Sequence, residues 1–279
     1  MELVSYHNNP RHFLDEVEDY LITKEAMHNL PLGIVHRLVN HLPSYPNAPF
    51  LFALKQGDET VGVVMRTPPH HWIVSFEEKT REHAIKTVTN TFLQQNLDVP
   101  GIVGGQKDVL ELAEVWGEPY EVEMDQWIYQ ITKVTPIPKA PGKLRPVEKP
   151  YANLLARWLW QYGQEVQEPM EMERAITMAD RFVKEKSAYL WEVNGKPVSM
   201  ANSSRATKNG ASINAVFTPD EYKRKGFATS CVAELTQKLL DQGKTFCTLY
   251  TDAANPISNS IYQKIGYQKI GDSVKVKFK

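Results

Sequence analysis

The chain has 279 residues, with 32 Lys and Arg against 33 Asp and Glu, a formal charge of −1 and two cysteines. Near-neutrality removes the electrostatic case for a protein that lives on nucleic acid or anionic membrane, and Cys231 and Cys247 are too few for a disulfide framework. No run approaches the ~18 apolar residues of a membrane span, and the acidic, polar first segment is unlike a secretory signal, so a soluble cytoplasmic protein is expected.

In chain order, Phe50–Lys55, Thr60–Arg66 and His71–Phe76 read as three strands, the first two joined by a Gln56-Gly-Asp58 turn. Arg81–Gln95 reads as a helix, Val99–Val103 as a strand, Asp108–Trp116 as a helix and Gln126–Thr132 as an alternating closing strand. Five prolines then fall between Pro136 and Pro150, a density that lacks the donors of a helix or central strand and predicts an extended connector. Beyond it, Leu154, Leu155, Trp158, Leu159 and Tyr162 recur at helical spacing, and Arg174–Lys186 forms a second amphipathic helix. Strands follow at Ala188–Val193 and Pro197–Ser203 around the hairpin dipeptide Asn194-Gly195, and at Ala211–Phe217. Gly226–Gln242 reads as a helix, Thr245–Thr251 as a strand, Pro256–Lys264 as a short helix and Tyr267–Phe278 as one or two closing strands.

The two halves share one order of elements, which points to an internal duplication in an α/β (α+β) chain. The predicted division is 1–135 for the first domain, 136–150 for a proline-rich linker and 151–279 for the second domain. Charge separates the halves as well: Tyr151–Lys279 carries 18 basic and 13 acidic residues, a net of +5, against −6 for residues 1–150. All eight histidines lie within the first 83 residues, so an imidazole base or a histidine-ligated metal is excluded from the second half, and no metal is expected.

Chemistry concentrates in Ile213–Ser230. A strand ends at Thr218-Pro219, a basic turn of Lys223, Arg224 and Lys225 follows, and Gly226 stands where a helix begins. A helix N-terminus offers unpaired amides and about half a positive charge, and glycine admits a ligand close to the backbone. That arrangement suits a pyrophosphate; taken alone it is equally an ordinary helix start beside a solvated charge run. A second segment, Asn255–Tyr267, starts a helix with Asn255 as N-cap and Pro256 as first helical residue. Ile257, Ile261 and Ile265 are expected to form its core stripe, with Asn255, Asn259 and Tyr262 on a separate polar stripe that lines a ligand groove.

These two segments resemble the GNAT superfamily of acetyl-CoA-dependent N-acetyltransferases, over about residues 145–279. The family's pyrophosphate signature aligns with Lys223, Arg224, Lys225, Gly226, Phe227 and Ala228, where Lys223 replaces the usual Arg or Gln. Its second signature matches Asn255, Pro256, Ser258, Asn259, Tyr262, Gly266 and Tyr267. The resemblance implies two GNAT-like domains, each a mixed, mostly antiparallel sheet flanked by helices, with acetyl-CoA as co-substrate. It implies that the strand edge at Val216, Phe217 and Thr218 pairs with the pantetheine amides and that Arg224 to Thr229 holds the pyrophosphate. It further implies that Asn255 and Asn259 orient the pantetheine and thioester, and that Tyr262 protonates the departing sulfur.

No general base is assigned: Ala211–Ala215 holds no carboxylate, and Glu192 and Asp252 read more readily as a surface charge and a turn residue. The first half has the glycine-free, acidic turn Ser75–Thr80 where the second has its basic one, so it is expected not to bind acetyl-CoA. His70 and His71, beside Pro68-Pro69, read as exposed turn residues. The acceptor is expected to be a small-molecule or peptide amine, with no nucleic acid and no membrane as partner. Two other readings share these features, a non-catalytic acyl-CoA-binding module and a tandem transferase that uses aminoacyl-tRNA. The missing strand carboxylate favours the first; near-neutral charge disfavours the second.

Overall fold

A computed structural model describes residues 1–41 and 47–279, with the side chain of His41 outside the described residues. In chain order the elements are β1 (Glu2–Ser5), α1 (Pro10–Ile22), α2 (Asn29–His41), β2 (Phe50–Gln56), β3 (Glu59–Arg66), β4 (Trp72–Phe76), α3 (Arg81–Gln94), β5 (Gly101–Gly105), α4 (Gln106–Trp116) and β6 (Tyr120–Ile131). They continue with β7 (Lys143–Pro146), α5 (Ala152–Glu165), α6 (Met172–Lys184), β8 (Ala188–Val193), β9 (Lys196–Ser204), β10 (Gly210–Phe217), α7 (Phe227–Asp241), β11 (Phe246–Asp252), α8 (Pro256–Ile265) and β12 (Gln268–Phe278).

The contacts define two compact units. One comprises Met1–Ile128 with Thr251–Asn255 and Lys269–Lys279; the other comprises Tyr129–Tyr250 with Pro256–Gln268. No single cut therefore separates them.

In the first unit the strand order is β1-β2-β3-β4-β5-β12-β6. The antiparallel meander β2-β3-β4 is followed by a parallel β4-β5 pair, which needs the crossover helix α3. The chain's last strand, β12, lies antiparallel to β5 from Ser273↔Gly105 to Lys277↔Gly101. Its buried residues Val274, Val276 and Phe278 belong to the core with Phe52, Trp72, Ile85, Phe92 and Leu112. On the other face α1 and α2 cover Leu51, Ala53, Val63 and Met65. α1 starts where Asn9 accepts from the His12 amide at 3.0 Å, with Pro10 supplying the preset φ of a first turn.

Histidines are built into this unit. The His28 ring bonds the Leu21 carbonyl through Nδ1 at 2.9 Å and Ser75 Oγ through Nε2 at 3.0 Å. A carbonyl only accepts, so Nδ1 carries the proton and Nε2 accepts from Ser75. His71 is packed, not an exposed turn residue: its ring lies 3.4 Å from Glu123, whose carboxylate Lys275 also reaches at 3.1 Å. His70 is tied at its carbonyl, which accepts from Arg66 Nε at 2.7 Å.

Burial pushes the pKa of His7, His28 and His71 below the ordinary value of 6.5. The folded unit refuses protons that the unfolded chain accepts. The stability from these groups is therefore present above about pH 6.5 and is lost as pH falls through the depressed values. The expected outcome is a thermal midpoint that drops on acidification below pH 6.5. A flat or rising midpoint contradicts it.

In the second unit the strand order is β11-β10-β9-β8-β7. The meander β8-β9-β10 is again followed by a parallel partner, β11, reached through α7. α5 and α6 cover Leu190, Met200 and Phe217 on one face with Leu155, Leu159 and Phe182.

The proline-rich segment is anchored along its length. Thr135 N–H donates to Ile265 O at 2.9 Å, and Ala140 N–H to Ser230 Oγ at 2.9 Å. Lys139 pairs with Glu234 at 2.8 Å, and Lys143–Pro146 pairs with β8 as an edge strand. Proline tolerates an edge because no ladder donor is needed on the solvent side. Cys231 and Cys247 are free and buried, and burial pushes the Cys247 thiol up to about 12.

Candidate functional site

The site is built where β10 and β11 part. Their registered pairs run Gly210↔Phe246, Ala211↔Cys247 and Ser212↔Thr248 and stop there, although both strands continue. On its other side β10 pairs with β9 through Asn214↔Asn202 and Phe217↔Met200, so Ala215 and Val216 together oppose one residue. This is a β-bulge, and Ala215 takes φ +47°. Bulge and parting turn the backbone of Val216 to Thr218 out of a regular ladder. Ser199 Oγ braces the end of the strand, 3.1 Å from the Phe217 carbonyl and 2.9 Å from Thr218 Oγ1.

The turn that follows ends in two left-handed residues, Arg224 at φ +62° and Gly226 at φ +78°. Gly226 caps α7, whose first intrahelical bond is Ser230 N–H to Gly226 O at 3.0 Å. The amides of Phe227, Ala228 and Thr229 precede that bond and point out of the helix end. A Cβ on Gly226 would meet nothing nearer than Ala140 Cβ at 3.7 Å, so the space over this backbone is open.

The three cations of the turn differ. Lys223 is held by Asp220 at 2.8 Å and Glu165 at 2.9 Å, and these carboxylates keep its pKa above the ordinary value despite its partial burial. Lys225 donates to the Glu221 carbonyl at 2.9 Å and lies over the Tyr222 ring at 5.8 Å. Arg224 is exposed. Nothing in the sequence marked Glu165, 58 positions away, as the partner of Lys223.

On α8 Ile265 is buried as expected and Ile261 half-buried, but the first turn departs from the expected core stripe. Ile257 is 74% exposed, whereas Asn259, Tyr262 and Ile265 are buried. The amide and phenol thus lie against the protein, and the isoleucine at the first turn faces water. Asn255, in the segment Thr251–Asn255 of the first unit, is exposed and donates its amide to the Asp252 carbonyl at 3.1 Å.

Tyr262 lies 6.3 Å from the Tyr129 ring and 6.1 Å from the Tyr267 ring. Burial, reinforced by Tyr162 of α5, raises its pKa far above that of an ordinary phenol, so it keeps its proton. Tyr162, read from sequence only as part of a core stripe, is itself pushed up to about 12 by burial. Of the two carboxylates weighed as bases, Glu192 faces Lys143 at 3.7 Å and Arg145 at 4.0 Å, and Asp252 caps its own turn by accepting from Ala254 N–H at 2.8 Å.

The corresponding place in the first unit is filled from within. β4 and β5 are in register from Trp72↔Ile102 to Val74↔Gly104. Two residues on, Phe76 N–H donates to Asp108 Oδ2 at 3.1 Å, while Asp108 Oδ1 accepts from Arg81 Nε at 2.6 Å. α3 begins at Thr80 without a glycine.

Residues 193–276 match the family model described as FR47-like protein, a stretch that contains both signature segments. An acetyltransferase from the GNAT family of Colwellia psychrerythraea superposes with a TM-score of 0.64 at 13% identity, covering 100% of both chains. The chain has the GNAT fold. A GCN5-related N-acetyltransferase from Sphaerobacter thermophilus gives 0.62 at 17% identity, with 98% of this chain and 94% of that one covered. A tandem GNAT protein from the clavulanic acid biosynthesis pathway gives 0.60 at 12% identity, with 99% and 97% covered. At these identities the likeness to solved GNAT structures is one of fold. No curated protein matches by sequence. Among the described residues no cluster of three or more His, Cys, Asp or Glu is placed to hold a metal ion, and no helix is long and apolar enough to cross a membrane.

Proposed function

We propose that the protein transfers an acetyl group from acetyl-CoA to a primary amine by direct attack of the amine on the thioester. The observation that carries this reading is the parting of β10 and β11 beside the open, glycine-capped N-terminus of α7. An extended amide chain adds to a strand edge, and a pyrophosphate is met by the amides of Phe227, Ala228 and Thr229 with Arg224 as exposed cation.

The amine nitrogen attacks the acetyl carbon, the carbonyl oxygen takes up negative charge, and the carbon–sulfur bond then breaks with release of the thiolate. Backbone amides at Val216 and Phe217 stabilise the oxyanion, and the neutral Tyr262 phenol donates to the departing sulfur. Its raised pKa disfavours complete proton transfer to a thiolate whose own value is near 8.5, so Tyr262 acts chiefly as a hydrogen-bond donor to developing charge. The ammonium of the acceptor gives a proton to water before its nitrogen attacks, and the adduct nitrogen gives up a second to water afterwards, since neither Glu192 nor Asp252 is free of its local partners. The first unit, with Asp108 and Arg81 across the end of its own strand pair, binds no acetyl-CoA.

Tyr262→Phe tests the chemistry. It removes one oxygen from a buried ring, so acetyl-CoA should bind as before while kcat falls roughly tenfold to a thousandfold. Full activity in this variant would show the donor assignment to be wrong. Tight acetyl-CoA binding by the wild type with no transfer to any amine of a broad panel would favour an acyl-CoA-binding module.

A further inference from the structure

Ser212 lies opposite Ser204 of β9 and opposite Thr248 of β11. Residues paired in register project to one side of a sheet, so three hydroxyl side chains stand in a row across three strands. Ser212 is 1% exposed and Thr248 0%. All three hydroxyl oxygens are buried, and none has a hydrogen-bond partner among the described residues.

A buried polar atom without a partner costs free energy, and native interiors hold few of them. Three side by side form a polar floor that waits for oxygen or nitrogen atoms to complete it. Its position is specific: Ser212↔Thr248 is the last registered pair before β10 and β11 part. Two residues along the same face, Asn202 Nδ2 donates to Asn214 Oδ1 at 2.8 Å, and Tyr250 carries the Arg205 guanidinium 5.4 Å over its ring. Further along β9 the face turns apolar at Met200, beneath α5.

We propose that this hydroxyl row binds the oxygen-bearing part of the acceptor, an amine that carries hydroxyl or carboxylate oxygens a few bonds from its nitrogen. The inference deepens the proposed function and rests on it. A serine or threonine hydroxyl both donates and accepts, so it completes itself against alcohol or carboxylate oxygens and gains nothing from an alkyl chain. An amino sugar and an amino acid both carry such oxygens; an alkyl diamine carries none.

The test uses the full chain with Ser212→Ala and Thr248→Val, each of which removes one oxygen at nearly constant volume. Acetyl transfer is measured to a 2-amino sugar, an α-amino acid and an alkyl diamine, beside acetyl-CoA affinity and the thermal midpoint without ligand. The expected result is an acceptor KM raised about tenfold or more for the oxygen-bearing amines, with acetyl-CoA affinity unchanged. The midpoint should rise at the same time, because an unpartnered buried hydroxyl has been removed. Hydroxyls kept only for folding would give the opposite pair, a lower midpoint with KM unchanged, and would overturn the proposal. So would an alkyl diamine that proves the best acceptor. The two oxygen-bearing arms decide which source the row serves. If the wild type binds no acetyl-CoA, the proposed function fails, and calorimetry of the same amines still reads the row: binding lost in both variants supports it, and no binding by the wild type overturns it.

Discussion

Replacing Gly226 by tryptophan should abolish acetyl-CoA binding while the chain stays folded. At φ +78° any side chain is strained by roughly 1–2 kcal/mol, yet the nearest atom to a new Cβ is Ala140 Cβ at 3.7 Å. The core is therefore spared, and the indole stands over the amides of Phe227, Ala228 and Thr229. Calorimetry should show affinity reduced at least a hundredfold, close to 2.8 kcal/mol, with a thermal midpoint only a few degrees lower. Gly226→Ala, which brings the strain without the bulk, should lie between. Equal acetyl-CoA affinity for wild type and Gly226→Trp would remove α7 from the cofactor site.

Val276→Asp should be the most damaging single change to the fold. Val276 is fully buried on β12, opposite Ile102 of β5, in the apolar cluster with Trp72 and Phe92. An unpaired carboxylate there costs about 3–5 kcal/mol, a large share of the 5–15 kcal/mol that stabilises most domains. Urea unfolding should report a lost or early transition. Lys277→Asp, at the exposed neighbouring position, should change the midpoint little. Near-equal effects of the two substitutions would mean that β12 does not seal the first unit.

Much of this architecture is legible before folding because its signals are local. The tight turn at Asn194-Gly195 is signalled by a dipeptide, and α7 by its four-residue apolar steps ending at Gly243. Gly226 marks the candidate site for a similar reason: the basic turn, the glycine and the helix start are contiguous. The failures are as instructive. The isoleucines of α8 were expected inward and Ile257 points to water, because hydrophobicity ranks side chains but does not say which face has something polar to bury. The proline-rich segment was expected as an extended connector, but where it is anchored was not legible. Its bonds to Ile265 and Ser230 depend on carbonyl and hydroxyl groups far along the chain, which no local pattern encodes.

The sequence by itself determined the repeated order of elements, the split of charge between the halves and the two signature segments. All of these are properties of neighbours in the chain. Only the tertiary structure decided that the last strand, β12, closes the sheet of the first unit, that the first unit's strand ends are filled by Asp108, and that three hydroxyls meet where β10 and β11 part. The physical reason is register. A strand's alternation says which of its residues share a face, but which strand lies beside it, and at what offset, is settled by the packing of the whole sheet.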